Sequence, residues 1–200
     1  DPKGSPTQAG QTNFDDLYAD VLLWMKNKWI DYLIPQLYWS MEHRLASHRK
    51  LADWWSNNSY GVPVYIGNGP YKIREDSDEA WKNPAELNTQ VNYARTLPQI
   101  QGNAFFSAKS IYIKNQDIAQ RLKNEVYDRP TLPPSFEPKT PTIIDIPVVF
   151  DVKTTTEKTQ INLEKPLDPA IRYAMVQGGN DLNTLHEAII HTAWVGGSRV

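Results

Sequence analysis

The sequence predicts an α/β fold of a particular kind: a partial (β/α)8 TIM-type barrel, its last three strand-helix units, followed by a small antiparallel β-sandwich-like segment. Three observations predict it. Short apolar runs alternate with amphipathic helical patterns across residues 14–126, the order expected of a parallel sheet with helical crossovers. Each strand-helix unit takes about 40 residues, the pitch of a large barrel with long loops after its strands. Past residue 141 the helical period stops, and β-branched runs separated by turn residues replace it.

Residues 1–10, rich in Gly, Pro, Ser, Thr and Gln, read as a loop leading to Asn13, a helix N-cap with Asp16 three residues on. Phe14, Leu17, Tyr18, Val21, Leu22, Trp24 and Met25 then predict a helix of about three and a half turns. Residues 31–38 predict a strand buried on both faces. Leu45, Leu51, Ala52, Trp54 and Trp55 suggest a second helix, ended by turn chemistry at 57–61, and residues 62–66 form the second strand. A polar loop over 68–82 is long enough to be functional. Asn83, Pro84 and Glu86 announce a third helix with Leu87, Val91, Ala94 and Leu97 on its apolar face. The third strand is expected at 102–106, and Ile118, Leu122 and Val126 mark the fourth helix.

Five prolines within residues 129–141 form an extended connector that no helix or central strand accommodates. The domains are therefore 1–128, a linker at 129–140, and 141–200, with strands at 143–152, 159–163, 171–177 and 188–195. These are fewer than the roughly seven strands of an immunoglobulin-type sandwich, so that domain is expected to be incomplete. Three parallel strands cannot close a barrel, and their bare edges predict self-association. The competing architecture is a flavodoxin-like open sheet, which needs about five strands.

A net charge of −2 without a basic block argues against a nucleic-acid or anionic-membrane partner. No apolar run approaches the roughly 18 residues of a membrane span. With no cysteine, thiol catalysis and cysteine-ligated zinc are excluded. His43 and His48, like His186 and His191, are five apart and do not share a helix face, so no metal and no cofactor is expected. Residues 67–72 lack the frame of a phosphate loop, and the Asn57-Asn58-Ser59 sequon is a match expected by chance.

Ligands of parallel α/β folds sit at the carboxyl ends of the strands. Gln36, Tyr38, Trp39 and Ser40 stand at such an end, an amide, a phenol, an indole and a hydroxyl suited to a polyhydroxylated ligand. Alternation places Gln36 and Tyr38 on one face, and Trp39 suits stacking on a pyranose ring, though tryptophan is as often a core residue. Asn68 and Tyr71 after the second strand, with Ser107 and Lys109 after the third, complete a candidate hydrogen-bonding ring. Glu42, Glu75, Asp76, Asp78 and Glu79 lie past strand ends, where a solvated charge is the commoner role, and Asp31 begins its strand at the opposite face.

Three motifs carry a likeness: Tyr32-Leu-Ile-Pro-Gln-Leu-Tyr-Trp-Ser40, Val64-Tyr-Ile-Gly-Asn-Gly-Pro-Tyr-Lys72 and Phe105-Phe-Ser-Ala-Lys109. Residues 16–21, 81–87 and 130–134 support them. In this order they resemble the glycosyl-hydrolase-like 10 family, also called domain of unknown function 187, over residues 1–135, and the tail resembles a fibronectin type III-like domain. The resemblance implies a glycosidase-type barrel in secreted, periplasmic or cell-surface bacterial proteins, a carbohydrate ligand, and catalytic carboxylates on strand ends. The family's acidic motif on an earlier strand has no counterpart here, so catalytic residues are unassigned and this chain alone is expected to be inactive. A non-catalytic carbohydrate-binding or scaffold module is the alternative.

Overall fold

The computed structural model describes residues 4–129, 150–156, 159–163, 173–177 and 189–194. The chain divides into two compact units, Asp1–Asp128 and Arg129–Val200. The first is mixed α/β, built on a small parallel sheet.

Its regular strands are β1 (Val64–Asn68) and β2 (Ile100–Phe105), paired parallel from Val64 with Ile100 to Asn68 with Phe105. The strand expected at 31–38 is not continuous. It reduces to two parallel bridges, Leu33 with Val64 and Gln36 with Gly67. The Leu33 amide donates to the Pro63 carbonyl and the Leu37 amide to that of Gly67, each at 2.9 Å, but Pro35 between them has no N–H to donate and breaks the ladder. Nor is this segment buried on both faces: Leu37 is 1% exposed, whereas Tyr32 and Ile34 are 47% and 42% exposed.

Helices cover the Leu37 side. Ser47 caps α2 (His48–Asn57) by accepting from the Lys50 amide at 3.3 Å, and Leu51, Ala52 and Trp55 then pack with Leu37, Val64, Ile66 and Ala94. The last of these comes from α3 (Glu86–Arg95), which starts slightly later than predicted; Asn83 Oδ1 accepts from the Ala85 amide at 3.0 Å in the turn before it. Leu87 and Val91 meet Ile118 and Leu122 of α4 (Gln116–Glu125) in a second cluster around Trp81. That tryptophan, 1% exposed, anchors the 68–82 loop, which winds through 3₁₀ turns at Pro70–Lys72 and Glu79–Lys82.

The helix expected from Asn13 is shortened to α1 (Val21–Lys26). Thr12 and Asp16 close side-chain turns across 12–16, Tyr18 takes a φ of 52°, and Asp20 accepts from the Leu23 amide at 3.0 Å as the actual cap. In the second unit β3 (Phe150–Thr154) pairs antiparallel with β4 (Thr159–Leu163), and β5 (Tyr173–Gln177) with β6 (Ile189–Trp194). The linker expected at 129–140 lies, past Arg129, outside the described residues. Among the described residues no helix is long and apolar enough to cross a membrane.

Candidate functional site

The sheet face turned away from the helices carries Tyr32, Ile34, Gln36 and Tyr38 from the first segment, Tyr65 and Gly67 from β1, and Gly102 and Ala104 from β2, by register and alternation. Its lower part is a packed aromatic pair. Tyr32 meets Tyr65 edge-on at 6.1 Å, and a side chain at Gly102 would approach the Tyr65 ring at 3.2 Å. The small residues therefore leave a floor on which rings can lie.

At the carboxyl ends three rings converge, one from beyond each parallel segment. Tyr38 meets Tyr71 edge-on at 5.7 Å and stacks with Phe106 at 6.3 Å and 24°, and Tyr71 stands perpendicular to Phe106 at 6.3 Å. Gly69 makes this possible, because a Cβ there would lie 3.2 Å from Tyr38 Cβ and Cγ and from Tyr71 Cε1. Burial, then the neighbouring Tyr71, pushes the Tyr38 phenol above its ordinary pKa, so it is a neutral hydroxyl near neutrality. Phe106 is 63% exposed and Tyr71 37%, so the cluster presents ring surface to solvent. Phe106 was not singled out from sequence; its alternation with Ala104 was the signal that could have found it.

The other sequence candidates fall in different places. Gln36 is exposed on the same face as Tyr38. Trp39 points the other way, half-buried against the helix-side core, although with Gln36 and Trp54 it lines a cleft of about 590 Å3 beside residues 4–22. Asn68 is fully buried, donating to the Ile66 carbonyl at 3.1 Å and Asn103 Oδ1 at 2.8 Å while its own Oδ1 has no partner. Ser107 is half-buried, and its carbonyl accepts from the Ser110 amide at 2.9 Å to open a π-helical turn, Ser110–Lys114. Lys109 is exposed just before that turn.

The carboxylates near the strand ends are mostly engaged in holding loops. Ser40 donates to Asp78 Oδ2 at 2.5 Å, the Asp78 amide to Asp76 Oδ1 at 2.9 Å, and Lys72 pairs with Asp76 Oδ2 at 2.6 Å. The Lys72 hydrogen bond, then the Asp78 amide, holds the Asp76 carboxyl below the usual range. Glu42 pairs with Arg49 at 2.7 Å and Glu79 with Lys82 at 2.6 Å, while Glu75 and Asp31 are exposed. No group of three potential metal ligands occurs among the described residues. Chemically, the arrangement offers apolar ring faces, a phenol, and the Gln36 amide, which together suit a sugar ring with an apolar C–H face and hydroxyls around its edge.

Residues 4–83 match the glycosyl hydrolase-like 10 family. The chain is similar to a protein named glycosyl hydrolase YngK of Bacillus subtilis (strain 168), 41% identical over 138 residues, which covers 68% of this chain and 27% of that protein. It is also similar to one named glycosyl hydrolase DigH of Escherichia coli (strain K12), 33% identical over 113 residues, or 53% of this chain and 26% of that protein. The chain thus spans about a quarter of the length of these curated relatives.

Proposed function

We propose that this chain forms the carboxyl-terminal strand-helix units of a (β/α)8 glycoside hydrolase and supplies one wall of its saccharide site, with Tyr38, Tyr71 and Phe106 stacking on sugar rings. The observation that carries this is the meeting of the three rings at the carboxyl ends of three parallel segments. The similarity to proteins named glycosyl hydrolases supports the reaction class. Gln36 adds a hydrogen-bonding group on the same face, with Ser107 and Lys109 at the rim and Trp39 and Asn68 as supporting residues behind it.

Glycoside hydrolysis needs two carboxylates across the scissile bond. Asp76, Asp78, Glu42 and Glu79 are committed to Lys72, Ser40, Arg49 and Lys82, which favours catalytic acids from outside these 200 residues. In this reading the β segment is a fibronectin type III-like accessory domain and the whole protein is secreted, periplasmic or on the cell surface. Hydrolysis across a polysaccharide panel by a form spanning the relatives' length tests the proposal. Glycan binding without hydrolysis by that form would instead favour a non-catalytic carbohydrate-binding module.

A further inference from the structure

We infer that His48 and Gln90 are positioning residues for the aromatic cluster: from α2 and α3 they hold the carbonyls on either side of Tyr38 and so fix its ring against Tyr71 and Phe106. The role in sugar binding rests on the function proposed above, whereas the effect on the Tyr38 ring does not. His48 Nδ1 lies 3.0 Å from the Leu37 carbonyl oxygen, and Gln90 Nε2 donates to the Trp39 carbonyl at 3.2 Å. Because a carbonyl only accepts, Nδ1 carries the proton and Nε2 of the neutral ring carries the lone pair.

The grip continues past Tyr38. Glu86, one helical turn before Gln90, accepts from Gln90 Nε2 at 2.9 Å and from the Met41 amide at 2.8 Å. Ser47 Oγ donates to the Met41 carbonyl at 2.7 Å and the His48 amide to that of Ser40 at 3.1 Å. Segment 37–41, which carries Tyr38, is thus tied by side chains from two helices. His48 and Gln90 are both 0% exposed, and His48 Nε2 and Gln90 Oε1 have no partner. Packing alone would favour apolar side chains there, since an unpartnered buried polar atom is costly. What the polar pair adds is a fixed position for the backbone that carries the ring.

The test uses the full chain with 13C-labelled tyrosine. His48→Asn keeps an N–H donor near the Nδ1 position, and His48→Leu removes it. Tyr38 ring resonances, assigned by Tyr38→Phe and shifted by the stacked Phe106, are expected to move toward those of exposed tyrosine in His48→Leu and to return in His48→Asn. Tyr65, on the same sheet face, stays in place in both. Affinity for a glucose or N-acetylglucosamine hexamer is expected to fall about tenfold in His48→Leu and to recover in His48→Asn. An unmoved Tyr38 ring in folded His48→Leu, or Tyr38 and Tyr65 moving together, would overturn the inference. If His48→Leu does not fold, Gln90→Met removes the second donor and carries the same comparison. Failure of both to fold makes the pair a stability device and also overturns it. Wild-type chain that binds neither hexamer counts against sugar stacking on this wall by itself, while the ring shifts still decide the positioning role.

Discussion

Single side chains at the carboxyl ends differ sharply in what they hold. Phe106 is 63% exposed and meets the rings of Tyr38 and Tyr71, so removing its ring takes little from the core. Phe106→Ala is expected to weaken saccharide binding by about fivefold, equivalent to about 1 kcal/mol, while the urea midpoint barely changes; isothermal titration and a denaturation curve check the two halves. His48 behaves oppositely. Burial pushes its pKa down to about 4, against the pull of the Leu37 and Trp39 carbonyls. The unfolded chain, with its histidine near 6.5, then binds the proton more readily than the folded one, so stability rises with pH between about 4 and 6.5. The loss on acidification through that window reaches about 3 kcal/mol for this group. Denaturation midpoints from pH 7.5 to 4.5 are expected to fall more steeply in wild type than in His48→Asn; parallel slopes would rule this out.

At the scale of elements, the close approach of the first segment to β1 depends on glycine. A Cβ at Gly67 would lie 2.7 Å from the Pro35 carbonyl oxygen, a backbone atom that cannot swing aside. Gly67→Ala therefore pushes the segment and β1 apart and is expected to cost about 1–3 kcal/mol by urea unfolding. Gly69→Ala meets side-chain atoms of Tyr38 and Tyr71 at 3.2 Å instead and is expected to disturb ligand binding more than stability. Comparing the two variants separates sheet spacing from ring placement. β1 was legible as an apolar run, whereas segment 31–38, read the same way, is reduced by Pro35 to two bridges. Asn83, read as the cap of α3, lies in the turn before it, and the actual cap, Ala85, makes no side-chain bond. The chain from Asn13 does not form the expected helix, because Phe14, Leu17 and Tyr18 fit a helical spacing that the Thr12 and Asp16 turns override.

At the scale of the whole molecule, a bare sheet edge governs association. The amides of Ile34 and Gln36, turned away from β1, have no hydrogen-bond partner among the described residues. The 590 Å3 cleft beside this edge is lined by Ile34, Gln36, Trp39 and Trp54. A strand added there would satisfy those amides. The 200-residue chain is expected to self-associate with rising concentration, and a longer form in which another strand covers the edge is expected not to. Light scattering that finds a monomer throughout the micromolar range for the shorter chain would count against exposed-edge pairing.

Period and local chemistry by themselves determined where most elements of the first unit lie and that Gln36 and Tyr38 share a face, because hydrophobic alternation and capping act over a few residues. Only the tertiary structure decided which side chains meet. Phe106 joins Tyr38 and Tyr71 across segments 35 to 68 residues apart in sequence, Trp39 and Asn68 turn into the protein, and His48 and Gln90 reach back to the strand exit. Such contacts are set by sheet register and helix packing, which no short stretch of sequence encodes.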